Sequence, residues 1–388
     1  MIRMLTRLRL KNWRSIKDET IDFTPITVFI GANSSGKTNI LDALYFLRTA
    51  VTWGIREAIY AHSGLEKVRT IGTKDPAINL GFTFSSQRKN SGDLLTYTLK
   101  VLDEDLSPSE DLTDEQGIEW LTSEFRKAKA RNSKDVITEA DLSVADLGVS
   151  AFGRISSFPQ IQNTFQFITQ RWQMLDENFM PPLTLPTGSV SPSSAYLIDR
   201  CADNLPMMLD IMYKTNEDLY GQLQEDFRWL LGHVEKIETK QTDNETRTLI
   251  REATHNGKEA PTISAGTRRI LAMLTAYYAL DMRLDELPGL IAIEEPDTAL
   301  NPMLLQNFVE QLRNYVEGEH PRQFILTTHN PLFLNYFKPE EVRVVERDEH
   351  GYTTVHKIPD HIEEIWLKDG EYRLGDVWMT RSLGGVPE

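Results

Sequence analysis

The chain has 388 residues, 40% hydrophobic and 26% charged, with a formal net charge of −15. It is long enough for two or three domains, or for one large domain with an insertion, and it can bury a substantial core. The acidic balance argues against a surface coated for nucleic acid while leaving room for one local basic groove. No run of about 18 apolar residues offers a membrane helix. The single cysteine, Cys201, rules out an internal disulfide and a zinc site built from several cysteines, and points to a cytoplasmic protein.

In chain order, Arg3, Arg7 and Arg9 stand near the N-terminus without an apolar stretch, so no secretory signal is expected. Met4, Thr6, Leu8 and Leu10 alternate with Leu5, Arg7, Arg9 and Lys11 at period two, which predicts a strand over 4–11 rather than a transit peptide. Further strands are predicted at 20–23, 26–30, 78–84 and 94–101, the last two as a hairpin across the polar loop 85–93. A helix is predicted over 39–47.

Residues 103–160 are rich in Asp, Glu, Ser and Lys and read as a surface insertion with some helix. Within it Arg126, Lys127, Lys129, Arg131 and Lys134 form the densest basic cluster. It is expected on a helix, as a solvated face or a contact to a phosphate backbone. A Pro/Ser/Gly loop occupies 181–194.

Helices resume over 203–232, with Leu205, Met208, Leu209, Met212, Leu219, Leu223, Phe227 and Leu230 as the buried stripe. A hairpin of 234–239 with 246–250 follows, then a helix from Thr267 to Arg283 and a buried strand at 290–293. A helix at 302–317, a strand at 323–327 and a hairpin of 342–347 with 352–357 complete the chain. There is no internal repeat and no heptad run long enough for a coiled-coil arm. The division expected is 1–102, an insertion or lid at 103–200, and 201–388.

Four motifs carry chemistry. Gly31 to Thr38 read Gly-Ala-Asn-Ser-Ser-Gly-Lys-Thr, a complete phosphate-binding loop between a predicted strand and a predicted helix. Its glycines let backbone N–H groups face phosphate oxygens, and the helix start adds partial positive charge. Asn33, Ser34, Ser35, Gly36, Lys37, Thr38 and Asn39 are the candidate nucleotide contacts. Lys37 would reach the β- and γ-phosphates, and the Thr38 hydroxyl would ligate Mg²⁺.

In the second motif the apolar run 290–293 ends in Glu294 and Glu295, which places both acids at the carboxyl end of a buried strand. Glu294 is the candidate Mg²⁺-shell acid, and Glu295 the candidate group that polarises the attacking water. In the third, the strand 323–327 ends in Thr328 and His329, and His329 is a candidate γ-phosphate contact. In the fourth, Ser264-Ala265-Gly266 heads a helix, where Ser and Gly offer an anion site. A plain N-cap is the competing reading. A second phosphate-facing helix start suggests a site completed between two subunits.

The order of these motifs resembles ABC-type ATPases of the RecF/SMC group. More closely it resembles the OLD-type and related AAA-family ATPases of bacterial phage-defence operons. The resemblance rests on Asn12-Trp13-Arg14-Ser15, Gly31 to Asn39, Ser264 to Thr267, Glu294 to Pro302, Thr327 to Pro331, and Leu383-Gly384-Gly385-Val386-Pro387. It implies an α/β ATPase head with a mixed sheet, an N-terminal antiparallel β-lobe and a helical insertion.

It also implies a homodimer in which each ATP sits between the phosphate loop of one protomer and Ser264 and Gly266 of the other. Thr298 to Asn301 would be the D-loop and His329 the switch. Phe167 to Trp172 resembles the Q-loop region, so Gln170 is a candidate Mg²⁺ or water ligand. By the same analogy Arg14 lies near the nucleotide. The chain departs from SMC proteins in lacking coiled-coil arms. It departs from OLD nucleases in showing no Glu plus Asp-x-Asp constellation after His329, so it is expected to cut nothing itself.

The reading is therefore a Mg²⁺-dependent ATPase that controls a separate nuclease or toxin in anti-phage defence, without a membrane. The rival is a RecF-like repair or recombination ATPase that binds DNA. A small-molecule kinase would need neither the Ser-x-Gly nor the Glu-Glu motif.

Overall fold

Period-two alternation carries the first strand past both ends of its expected span. In the computed structural model, β1 (Ile2–Trp13) buries Leu8 and Leu10 completely and exposes Arg7 and Arg9. The structure describes residues 2–73, 75–86, 94–102, 108–143, 146–186, 197–253, 263–282, 288–362 and 372–385. After β1 come β2 (Ile16–Asp22), β3 (Ile26–Ile30), α1 (Lys37–Trp53), α2 (Ile55–Ala61) and α3 (Leu65–Val68). Six strands follow: β4 (Ile78–Ser86), β5 (Leu94–Val101), β6 (Pro108–Asp114), β7 (Glu119–Glu124), β8 (Lys127–Arg131) and β9 (Ile137–Asp141).

Next are α4 (Gly148–Phe152), α5 (Pro159–Gln170), β10 (Trp172–Leu175), β11 (Thr184–Pro186), α6 (Leu205–Thr215) and α7 (Glu217–Leu231). Then come β12 (Val234–Gln241), β13 (Glu245–Glu252), α8 (Ala265–Ala279), β14 (Gly289–Glu294), α9 (Leu305–Glu317), β15 (Arg322–Thr328) and α10 (Pro331–Leu334). The chain closes with β16 (Val342–Arg347), β17 (Thr353–Lys357), α11 (Asp360–Ile362) and α12 (Leu374–Met379).

Two compact units result, one of Met1–Trp172, Leu287–Leu290 and Lys338–Glu388, the other of Gln173–Glu286 and Ile291–Phe337. In the first, an antiparallel sheet runs in the order β2-β1-β4-β5-β6-β7-β8-β9. The expected hairpin is present, with Ile78 opposite Val101 and Ser85 opposite Leu94; most of its connecting loop, 87–93, lies outside the described residues. A separate pairing sets β16 parallel to β3, with Val342 opposite Val28, and antiparallel to β17. This gives the expected mixed-sheet character. β3 is buried at every residue, which suits a strand covered on both faces.

The second unit is mostly helical, with a small sheet in the order β11-β13-β12. All eight residues of the predicted stripe on α6 and α7 are buried. Asn216 caps α7 by accepting from the Leu219 N–H at 3.0 Å. Asp226 of α7 accepts from Tyr278 of α8 at 2.5 Å, from Gln311 of α9 at 2.9 Å, and from Tyr315 of α9. One carboxylate thus ties three helices. Among the described residues no helix is long and apolar enough to cross a membrane.

The stretch 103–160 differs from expectation. Its residues 108–141 form the four strands β6 to β9, which extend the antiparallel sheet; the helices of this region are α4 and the start of α5. The basic cluster is correspondingly not helical. Lys127, Lys129 and Arg131 alternate along β8 with the buried Ala128 and Ala130. Strands with one solvated face need few large apolar residues, so Ala128, Ala130 and a satisfied Glu110 join Leu112 and Leu121 at the inner positions. The Lys-Ala-Lys-Ala-Arg alternation was the strand signal.

Candidate functional site

The first unit carries the phosphate loop. β3 delivers the chain to Gly31, and α1 begins at Lys37 after Gly36. Both glycines are required by close approach. A Cβ at Gly31 would lie 2.1 Å from the Val345 carbonyl oxygen. One at Gly36, where φ is +115°, would lie 2.2 Å from Thr353 Oγ1. Ser34 at the tip adopts φ +63°. Lys37 Nζ donates to the carbonyls of Gly31 at 2.8 Å and Ala32 at 3.0 Å, so its ammonium already lies along the loop.

A groove of about 260 Å³ is lined by Ser34, Ser35, Gly36, Lys37, Thr38, Asn39 and Arg347. Six candidate contacts therefore share one surface, and Asn33 is exposed beside them.

The Asn12-Trp13-Arg14-Ser15 turn supports this loop. Trp13 Nε1 donates to the Asn39 carbonyl at 2.7 Å, and Asn39 Nδ2 donates to Ser15 Oγ at 2.6 Å. Thr353 pairs with Ser15 at 2.7 Å and donates to the Ser35 carbonyl at 2.7 Å. Arg14 forms an ion pair with Asp42 on α1, and His62 Nε2 lies 3.2 Å from the same carboxylate. Arg14 is thus tied to the helix that follows the loop, and it does not line the groove. Gln170 is the last residue of α5 and is half-buried.

The second unit carries the acids and the histidine. Glu294 ends β14 and is buried. Glu295 follows in the left-handed region at φ +46°, an unfavourable conformation for a non-glycine residue that persists only where its surroundings over-determine it. They do so here. Its N–H donates to the Thr327 carbonyl at 3.1 Å, and its own carbonyl accepts from Arg269 Nη2 at 2.9 Å. One carboxylate oxygen lies 2.7 Å from His329 Nδ1, and the other accepts from Thr298 Oγ1 at 3.3 Å. The Glu-Glu, D-loop and histidine motifs thus meet on one carboxylate. His329 is half exposed. Asp297 beside them accepts from Thr328 Oγ1 at 2.9 Å, and burial pushes its carboxyl above the ordinary range.

Ser264 caps α8, its Oγ accepting from the Thr267 N–H at 3.0 Å. A Cβ at Gly266 would lie 2.4 Å from the Ala299 carbonyl oxygen, so this glycine is fixed by the backbone of the D-loop. Arg269 was not singled out from the sequence. It is 2% exposed, sits 3.9 Å over the Phe179 ring, and donates to the carbonyls of Glu177 at 2.8 Å and Phe179 at 3.0 Å. The Arg268-Arg269 pair at the head of α8 was its only signal. Arg347, also missed, offered none.

Comparison with known proteins agrees with this anatomy. A family model described as "AAA ATPase domain" matches residues 4–143, and one described as "AAA domain, putative AbiEii toxin, Type IV TA system" matches 232–335. A Helicobacter pylori protein named "ATP/GTP phosphatase" is 20% identical over 361 residues, covering 85% of this chain and 86% of that one. DNA replication and repair protein RecF of Streptococcus pneumoniae is 52% identical over 44 residues, 11% of this chain and 12% of RecF.

Among solved structures, an Smc head domain with an extended coiled coil from Pyrococcus furiosus, bound to the C-terminal domain of ScpA, aligns with a TM-score of 0.55 at 13% identity. It covers 95% of this chain and 99% of that one. The Smc head with coiled coil and joint from Pyrococcus yayanosii gives 0.55 at 11% identity, over 96% of this chain and 100% of that one. At such identities the likeness is one of fold. Both ATPase family models and the four motifs in order support an ABC-type ATPase of the RecF/SMC group.

Proposed function

We propose that the chain binds ATP with Mg²⁺, closes as a homodimer around it, and uses slow hydrolysis to control a separate nuclease or toxin in bacterial anti-phage defence, in the cytoplasm. The observation that carries the hydrolytic part is the strained Glu295, whose carboxylate is held by His329 and Thr298. Such fixing is what a group that takes a proton from water requires. Lys37 would neutralise phosphate charge, and His329 would respond to the γ-phosphate. Ser264 and Gly266 would act on the ATP of the partner copy.

Thr38, Glu294 and Gln170 are a hydroxyl, a carboxylate and an amide. This all-oxygen donor set suits Mg²⁺, which takes few protein ligands beside phosphates and water. The metal would supply charge neutralisation on the phosphates. The effector role is supported by the resemblance to phage-defence ATPases and by the toxin–antitoxin wording of the second family description.

The RecF match keeps a DNA-binding repair ATPase as the second reading. Against it, the cations on the exposed face of β1 are already paired: Arg7 with Asp22 at 2.8 Å, Arg9 with Asp18 at 3.5 Å and Lys11 with Asp75 at 3.0 Å. An ATP-dependent shift of duplex DNA at low salt would favour repair. Co-purification of a neighbour-encoded effector would favour defence.

The shared-site model is tested by mixing Lys37→Ala with Ser264→Arg protomers. Each variant alone should be inactive, and the heterodimer should keep one intact site and regain part of the ATPase activity. Full-rate hydrolysis by a monomer in dilute solution would reject the model.

A further inference from the structure

The phosphate-loop groove is lined by two cationic side chains, and only one of them belongs to the loop. Arg347 is the last residue of β16, whose parallel pairing with β3 brings that strand end beside the loop. Its guanidinium grips the loop tip from outside. Nε donates to the Ser34 carbonyl at 3.0 Å and Nη2 to the same oxygen at 2.8 Å, while Nη1 donates to the Gly351 carbonyl at 2.7 Å.

Ser34 holds φ +63°, an uncommon conformation for a serine, and needs such an anchor. Three of the five guanidinium donors are spent on these carbonyls, which leaves two for a ligand. The side chain is exposed on the groove wall, which also contains Lys37 and the start of α1.

We propose that Arg347 is a nucleotide-site residue that holds the left-handed tip of the phosphate loop and presents a second positive charge to the polyphosphate of a bound nucleoside triphosphate. The inference deepens the ATP-binding reading and rests on it. A lysine cannot substitute fully. It keeps the charge but loses the planar fork that takes one carbonyl with two N–H groups. A glutamine can hydrogen-bond to Ser34 but carries no charge.

The test is titration of ATP into wild type, Lys37→Ala, Arg347→Ala, Arg347→Lys and Arg347→Gln at low and high salt, with thermal melting of each variant. Arg347→Ala and Arg347→Gln should each weaken ATP binding about tenfold or more at low salt, the scale of one charge-assisted contact. The loss should shrink at high salt as screening reduces the charge contribution. Arg347→Lys should recover part of the affinity.

ATP affinity in Arg347→Gln equal to wild type, with Lys37→Ala weakened, would overturn the role of Arg347 and leave the ATP-binding reading intact. Wild type that binds no ATP would overturn both. If Arg347→Ala melts early, Arg347→Gln and Arg347→Lys decide the matter. Equal losses in those two that do not change with salt would overturn the charge role.

Discussion

Arg269 Nη2 donates to the main-chain carbonyl of Glu295 at 2.9 Å, which ties the helix headed by Ser264 to the residue proposed to activate water. Two further donations from Arg269, to Glu177 and Phe179, fix the guanidinium in place. Burial pulls this guanidinium below its ordinary pKa, and the charges of Asp297 and Glu295 oppose that pull. The left-handed backbone at Glu295 is thereby pinned from both its N–H and its carbonyl.

If Arg269 positions Glu295, Arg269→Lys should lower kcat about tenfold to a hundredfold and leave ATP affinity near wild type, because small misplacement of a reacting group is costly. Single-turnover rates and equilibrium titration separate the two quantities. Wild-type kcat in a folded Arg269→Lys protein would remove the positioning role.

Glu295→Gln should retain ATP binding and lose turnover by a factor of about 10² to 10⁴, the range for loss of a general base. The amide can still face Thr298 and His329, so the loop should keep its shape. ATP should then trap the dimer, visible as a shift in sedimentation. Hydrolysis at the wild-type rate would transfer the role to Glu294.

Gly266→Ala should destabilise the second unit by about 1–3 kcal/mol, the usual cost of forcing extra volume into a packed site. The new Cβ would meet the Ala299 carbonyl oxygen at 2.4 Å, so the D-loop backbone must move. Urea unfolding reads the first effect and ATPase assay the second. An alanine variant as stable and active as wild type would show that the D-loop yields without consequence.

What could be read from the sequence was what leaves a local mark. The loop Gly31 to Thr38, the apolar strands ending in Glu294 and Thr328, and the stripe on α6 and α7 each follow from spacing alone. The strands β6 to β9 were missed because polar composition hid a period-two pattern whose inner residues include a buried glutamate on β6 and only alanines on β8. Arg14, expected near the nucleotide by analogy, is paired with Asp42 on the helix that follows the loop, a contact that depends on how the β1–β2 turn meets α1. Arg269, Arg347 and Thr353 act through main-chain carbonyls far away in sequence, and such partners have no sequence signature.

Glu110 supplies a pH test of the antiparallel sheet. Its carboxylate is fully buried between Tyr97 OH at 2.7 Å, Ser123 Oγ at 2.9 Å, and the N–H groups of Gly148 at 2.5 Å and Val149 at 3.3 Å. Burial favours the neutral acid and the four donors favour the anion; burial prevails, and the pKa is raised above 4.5. The folded state then holds the proton more tightly than the unfolded chain. Stability from this group is present at low pH and is lost as pH rises from 4.5 through the folded value. Glu110→Gln cannot titrate, so the stability of wild type minus that of the variant should fall as pH increases from about 4.5 to 8. Ser123→Ala removes one donor to the anion and should extend the fall to higher pH, its start being set by the unfolded chain. Urea unfolding at a series of pH values measures both. A difference that stays constant or grows with pH would mean that the four donors, rather than burial, set the protonation of Glu110.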